Sequence, residues 1–141
     1  MDGILVQMTD RAWTTSAVRA AAEYAAANDT WIVLARMLPT SSPRWCGDLA
    51  RSYKLTETEQ RDLAQYEQIA AEFGVNLVVR VVEVESSDFD LGVVRAADDL
   101  GVDKVLVKIP EATLRPARLR HIHQLNALLG NHHHQLVMMP A

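Results

Sequence analysis

The chain has 141 residues, of which 49% are hydrophobic and 23% charged, with a formal net charge of −4. This length and composition indicate one globular domain over residues 1–141 and exclude a two-domain, disordered or fibrous chain. The acidic balance disfavours a nucleic-acid binder or a polybasic membrane-surface protein. The N-terminal sequence lacks an apolar run long enough for a signal or a membrane span, and the single cysteine, Cys46, cannot form an intrachain disulfide. We therefore expect a cytoplasmic protein without membrane insertion.

Five short apolar runs predict β-strands. The first has no polar alternation, which is typical of a strand buried on both faces of a sheet. The predicted strands are Ile4–Val6, Trp31–Ala35, Asn76–Val84, Lys104–Ile109 and Gln135–Met139. The breaker-rich segment 38–54 predicts a long surface loop after the second strand.

Four helices are predicted between these strands. They cover Ser16–Ala27, Thr56 to Phe73, a third segment that ends at Leu100, and Pro116–Leu129. The third helix is expected to start at Ser86, Ser87 or Asp88. Thr14 or Thr15 is expected to cap the first helix, and Thr56 with Glu59 forms a capping-box pattern for the second. Gly130 is expected to close the last helix.

The regular alternation of strands and helices predicts an α/β fold with a doubly wound parallel sheet and helices on both faces. In such folds ligands bind beyond the carboxyl ends of the strands, where the winding direction reverses. The segments expected near a ligand are therefore Met8–Ala12, Arg36–Leu38 and Ile109–Arg118.

Several segments together resemble one protein family. They read ILVQMTD at residues 4–10, EFGVNLVVRVVE at 72–83, RAADDLGVDKVLV at 95–107 and QLVMMP at 135–140. With the Ala-rich first helix and the long loop after the second strand, this pattern resembles the universal stress protein family over essentially the whole length. The resemblance implies strand order 3-2-1-4-5. It also implies a homodimer, often formed through the last strand, which here is Leu136–Met139.

The resemblance has a mixed implication for ATP. Many family members bind ATP through an Asp after the first strand and a glycine-rich loop after the fourth, and Asp10 stands at the Asp position. The positions that match the loop's three glycines and final hydroxyl are Ile109, Ala112, Ile122 and His123. A Cβ there would shield the backbone N–H groups that phosphate needs. The chain thus resembles the branch that does not bind ATP, and we expect no cofactor.

Two candidate sites remain near the predicted ligand edge. Asp10 can contact a nucleotide or simply order the start of the first helix. Residues 104–141 carry five Lys or Arg against one acidic residue. A basic cluster lies within them, at Arg115, Arg118, Arg120, His121 and His123. Arg115 and Arg118 can bind phosphate, a nucleotide or an acidic partner, and the alternative is a solvated basic face.

Other reactive residues give weaker patterns. The three histidines His132–His134 can in principle bind a metal, but adjacent side chains diverge, so an exposed turn without metal is predicted. Cys46 lies near Arg44 but has no recognisable catalytic partner. The sequence carries none of the common hydrolase, nucleotide-binding or metalloprotease motifs. No catalytic residue is predicted.

These patterns lead to three functional hypotheses, of which the third is a metal-responsive module that uses the histidine tract His132–His134. The first is a non-enzymatic stress-response or regulatory protein, similar to universal stress proteins, that acts as a homodimer with an unidentified protein partner and without ATP. The second is a nucleotide- or anion-binding switch that uses Asp10 and the Arg115–His123 cluster in place of the missing glycines.

Overall fold

The computed structural model describes residues 3–40, 56–85, 89–108 and 115–137. Its strands are β1 (Ile4–Gln7), β2 (Ile32–Thr40), β3 (Leu77–Glu85), β4 (Lys104–Leu106) and β5 (Gln135–Leu136). Its helices are α1 (Arg11–Asn28), α2 (Glu57–Glu72), α3 (Phe89–Leu100) and α4 (Arg115–Asn131). All pairings are parallel, in the order β3-β2-β1-β4-β5. The predicted fold class and strand order are confirmed.

The central strand, β1, lies between β2 and β4. Ile4 is in register with Ile32 on one side and with Lys104 on the other. The chain winds outward from β1 to β3, and then returns across the sheet to place β4 on the opposite side of β1. This reversal creates the position where doubly wound folds bind ligands, at the carboxyl ends of β1 and β4.

Apolar side chains form a core on each face of the sheet. Leu5 belongs to the core covered by α3 and α4, whereas Ile4 and Val6 belong to the core covered by α1 and α2. This division follows from the alternation of side chains along a strand. Small residues allow α1 to lie close to the sheet, and its alanines 17, 21, 22 and 25 are at most 1% exposed.

The start of α2 matches the predicted capping box. The amide of Glu59 donates to the Thr56 hydroxyl at 3.1 Å, and the Thr56 amide donates to the Glu59 carboxylate at 2.9 Å. Arg36 lies 2.8 Å from the other carboxylate oxygen. Partial burial favours the neutral acid, but the Thr56 amide and Arg36 together outweigh it and hold the pKa of Glu59 below its usual value. The ion pair between Arg36 and Glu59 thus connects the start of α2 to β2.

The prediction for the start of α1 was wrong. The N-cap is Asp10 rather than Thr14 or Thr15, and the helix begins at Arg11. Thr14 is instead fully buried within α1, and its hydroxyl accepts a hydrogen bond from the Thr9 amide at 2.9 Å. Thr15 donates to the Arg11 carbonyl at 2.7 Å. The earlier start places one more turn of helix over the sheet.

The end of α4 also differs from the prediction. Gly130 lies inside the helix, which continues to Asn131, and the left-handed residue is His133, with a φ of 65°. Glycine was expected at the left-handed position after the helix because it adopts positive φ without strain. The predicted left-handed turn after α2 is confirmed, since Gly74 has a φ of 69°.

The second strand is longer than predicted. β2 continues through Pro39 to Thr40 and pairs there with β3, so residues 38–40 of the expected loop belong to the strand. Beyond Ala35, β2 has a hydrogen-bonded neighbour on one side only, because β1 ends at Gln7. Proline is tolerated on such an edge. The predicted caps at 86–88, Ile109 and the end of the last strand at 138–139 lie outside the described residues.

Candidate ligand site at the carboxyl edge of the sheet

Asp10 lies just beyond β1, at the expected ligand edge. One carboxylate oxygen accepts a hydrogen bond from the Trp13 amide at 3.0 Å, which caps α1. The other lies 2.6 Å from the ammonium of Lys108. Both oxygens therefore have partners within the protein, and the side chain is half exposed.

Lys108 joins the ends of the two central strands. Its ammonium pairs with Asp10, and its backbone amide donates to the Gln7 side chain at 2.8 Å. Because Gln7 ends β1 and Lys108 follows β4, these two contacts connect the strands where the sheet reverses direction. No sequence motif marks Lys108 or Gln7, although both positions follow from the ends of the predicted strands.

The electrostatics of Asp10 follow from these contacts. The hydrogen bond from Lys108, and after it the bond from the Trp13 amide, hold the pKa of Asp10 below its usual value. The folded state thus favours the ionised carboxylate. Because the pair is half exposed, its net contribution to stability is at most about 1 kcal/mol.

We expect Asp10→Asn to lower the free energy of unfolding at pH 7 by less than about 1 kcal/mol. Since the pKa of Asp10 is lowered by folding, its stabilisation is complete above the unfolded value of about 3.9 and disappears as the pH falls through the folded value. Urea unfolding at several pH values between 3 and 7 measures this. The control is Asp99→Asn, an exposed residue that forms no ion pair with the described residues. Equal pH dependence of the two variants would contradict the assignment.

Other cations at this edge are also paired. Arg11 donates to the Gln65 side chain at 2.9 Å and lies 3.6 Å from the Asp62 carboxylate, so it connects α1 to α2. Arg36 pairs with Glu59, as described above. Arg11, Arg36 and Lys108 are therefore all engaged in contacts within the fold. In contrast, the hydroxyl oxygen of Thr9 is buried without a hydrogen-bond partner.

The predicted basic cluster does not converge on one point. The side chains of Arg115 and Arg118 lie outside the description, although both residues belong to the first turn of α4. Arg120 and His123 are exposed. His121 turns toward α3, where its Nε2 lies 2.6 Å from the carboxylate of Asp90.

The positions compared with the family's glycine loop have mixed locations. Ile109 and Ala112 lie outside the described residues, whereas Ile122 and His123 lie well inside α4. Amides within a helix are hydrogen-bonded to carbonyls four residues earlier. Ile122 and His123 therefore offer no free backbone N–H group to a phosphate.

The histidine tract contacts α3 and does not form a set of metal ligands. The two oxygens of Asp98, on α3, lie 3.3 Å from Nδ1 of His132 and 2.6 Å from Nε2 of His134. His133 is exposed and occupies the left-handed turn. Among the described residues no group of three metal-binding side chains is placed to hold an ion. Cys46 lies outside these ranges.

Sequence comparisons give no match to a family model and none to a curated protein. Solved structures do match. A universal stress family protein from Burkholderia pseudomallei has 24% identity and a TM-score of 0.62, with 99% of this chain and 96% of that chain covered. The chain has the universal stress protein fold. A universal stress protein from Archaeoglobus fulgidus, solved in complex with dAMP, is 16% identical with a TM-score of 0.60, covering 99% and 98%.

A third structure of the same fold was solved in complex with cAMP. It is a universal stress protein with 15% identity and a TM-score of 0.60, covering 99% of this chain and 96% of that chain. The likeness therefore spans both edges of the sheet. Among the described residues, no helix is both long and apolar enough to cross a membrane.

Proposed function

We propose that this chain is a non-enzymatic stress-response or regulatory protein of the universal stress protein type, which works without ATP in the cytoplasm. The fold supports a role of this class. The observation that best supports a function without ATP is that both carboxylate oxygens of Asp10 already have partners within the protein. A nucleotide that uses this carboxylate must first displace the ammonium of Lys108, held at 2.6 Å.

The position of α4 supports the same proposal. Ile122 and His123 lie within the helix, where their amides bond to the helix itself. A phosphate group gains nothing from them. The protein then acts through surface contacts with an unidentified partner rather than through a bound cofactor or a catalytic residue.

Dimerisation through the last strand is part of this proposal. β5 is a terminal strand of the sheet, hydrogen-bonded to β4 on one side. The amides of Gln135 and Val137 both donate toward β4. Because bonding groups alternate along a strand, those of Leu136 face the open edge and can pair with a second copy over Leu136–Met139. Size-exclusion chromatography with light scattering tests this, with a mass of twice 15.7 kDa expected.

The second candidate is a switch that binds a nucleotide or another anion. The complexes of two structurally similar proteins with cAMP and dAMP favour it, together with the basic first turn of α4. In this case Asp10 contacts the ligand after Lys108 moves away, and Arg115 and Arg118 bind its phosphate.

One experiment separates the two candidates. Protein purified without nucleotide is denatured and its released small molecules are chromatographed, and calorimetric titrations follow with ATP, ADP, AMP and cAMP. We expect no release and no binding, and Arg118→Ala to change nothing. Binding tighter than about 0.1 mM, or about 5 to 6 kcal/mol, that Arg118→Ala weakens would overturn the first candidate in favour of the switch.

A further inference from the structure

A cleft lies at the amino edge of the sheet, opposite the candidate ligand site. Its volume is about 340 Å³, and it is lined by Asp29, Thr30, Trp31, Gly74, Asn76 and Val78. These residues belong to the turn between α1 and β2, the turn between α2 and β3, and the start of β3. The cleft is therefore separated from Asp10 and Lys108 by the length of the strands.

The electrostatic environment of this cleft is negative. α1 ends at Asn28 and is capped by Asp29, whose φ of 52° is left-handed, and α2 ends at Glu72, two residues before Gly74. The last carbonyls of a helix carry a partial negative charge, and neither helix has a basic residue in its last turn. The carboxylate of Asp29 adds a full charge. No lysine or arginine is among the lining residues.

Several polar groups of the cleft have no partner in the fold. Within the described part of the chain, the side chains of Asp29, Trp31 and Asn76 form no hydrogen bond or ion pair. The Asn76 backbone carbonyl, in contrast, accepts from the Ile32 amide at 2.9 Å. The backbone at Asn76 is thus fixed by the sheet, while the side chains of Asp29, Trp31 and Asn76 are available to a ligand.

An apolar wall completes the cleft. Trp31 is half buried and packs against the core under α3 and α4, beside Gly3 and Val102. Val78 is in register with Val33 of the same core, so both residues lie on one face of the sheet. An indole next to a carboxylate suits a ligand with a positive end and a hydrocarbon body.

We propose that this cleft binds a small organic cation, specifically a protonated primary amine. Its ammonium group donates hydrogen bonds to the Asp29 carboxylate and to the side-chain oxygen of Asn76, both of which line the cleft. Its hydrocarbon part packs on Trp31 and Val78. This site is independent of the function proposed for the carboxyl edge, because it shares no residue with it.

Phenethylamine hydrochloride is the probe, and 2-phenylethanol is its neutral analogue of the same shape. Amide and indole NMR spectra of the ¹⁵N-labelled full chain follow the Trp31 indole and the Gly74 amide during titration. We expect saturable shifts at both with the ammonium compound and none with the alcohol. Absence of saturable shifts up to about 10 mM, an affinity of only a few kcal/mol, or equal shifts with the alcohol, would overturn the proposal.

Asp29→Asn tests the role of the carboxylate. Asparagine tolerates the left-handed conformation, so the turn is retained while the charge is lost. We expect at least a tenfold weaker affinity for phenethylammonium. The matched control is Glu23→Gln, which removes an exposed acid on α1 outside the cleft and should leave affinity unchanged. An equal loss in both variants would reduce the effect to net charge and overturn the proposal.

Discussion

Leu5→Ala is expected to lower the free energy of unfolding by about 2 to 5 kcal/mol. Leu5 is fully buried on the central strand, within the core covered by α3 and α4. The substitution removes apolar contacts and leaves a cavity that the flanking strands β2 and β4 cannot close. Because a whole domain is stable by only about 5 to 15 kcal/mol, a large share of the stability is lost. Urea unfolding followed by circular dichroism measures it.

Leu119→Ala is the matched control for this result. The same atoms are removed, but Leu119 is 57% exposed on α4. We expect a change within about 0.5 kcal/mol, as is usual for surface sites. Comparable losses for Leu5 and Leu119 would contradict the placement of β1 at the centre of the sheet.

Gly3→Ala is expected to destabilise the protein by about 1 to 3 kcal/mol through overpacking. A Cβ at Gly3 would lie 2.9 Å from Cε2 and 3.0 Å from Cζ2 of Trp31, and 3.1 Å from Cγ1 of Val102. The indole is rigid and packs against the core on one side, so a Cβ at Gly3 would force it to shift against these neighbours. Thermal and urea unfolding measure the loss.

Gly130→Ala makes the same substitution with the opposite expected sign. Gly130 lies inside α4, and nothing lies within 4 Å of a Cβ built there. Alanine in a helix interior is favoured over glycine by about 0.5 to 1 kcal/mol, so the variant should be more stable. A loss of stability would contradict the position of Gly130 inside the helix and favour the C-cap role predicted from the sequence.

The fold was predictable because its signals are local and repeated. The apolar run at Ile4–Val6, the capping box at Thr56 and the glycine at 74 each determine a short segment. The strand order came from the family resemblance rather than from any of these. Alternation of strands and helices fixes a parallel sheet, but it does not by itself fix which strand lies beside β1.

The errors arose where several residues compete for one structural role. Asp10, Thr14 and Thr15 are all good N-caps, and the choice depends on where β1 ends and which face of α1 must pack on the sheet. Gly130 was a reasonable C-cap, yet the helix continues to Asn131, and two of the histidines beyond it contact Asp98 on α3. Such contacts join residues far apart in sequence and leave no local pattern.

The location of the candidate site was predictable from the sequence, but the contacts of its residues were not. The edge containing Asp10 followed from the fold class, whereas Lys108 was not recognised as the partner of its carboxylate. The two residues are separated by most of the chain, and nothing in either segment indicates the other. The cleft at Asp29 was missed altogether, because it is formed by two ordinary turns.

The position of β1 between β2 and β4 has a consequence for protein synthesis. Ile4 is made before its partner Lys104, which lies 100 residues later in the chain. At about 5 to 20 residues per second, the ribosome takes about 5 to 20 s to cover that distance. During this interval one edge of β1 has no strand to pair with, and Leu5 has no helix to cover it. β1 is therefore the first strand of the sheet to be made, yet its pairing is among the last to be completed. Until then this apolar strand stays exposed in the nascent chain, which favours aggregation.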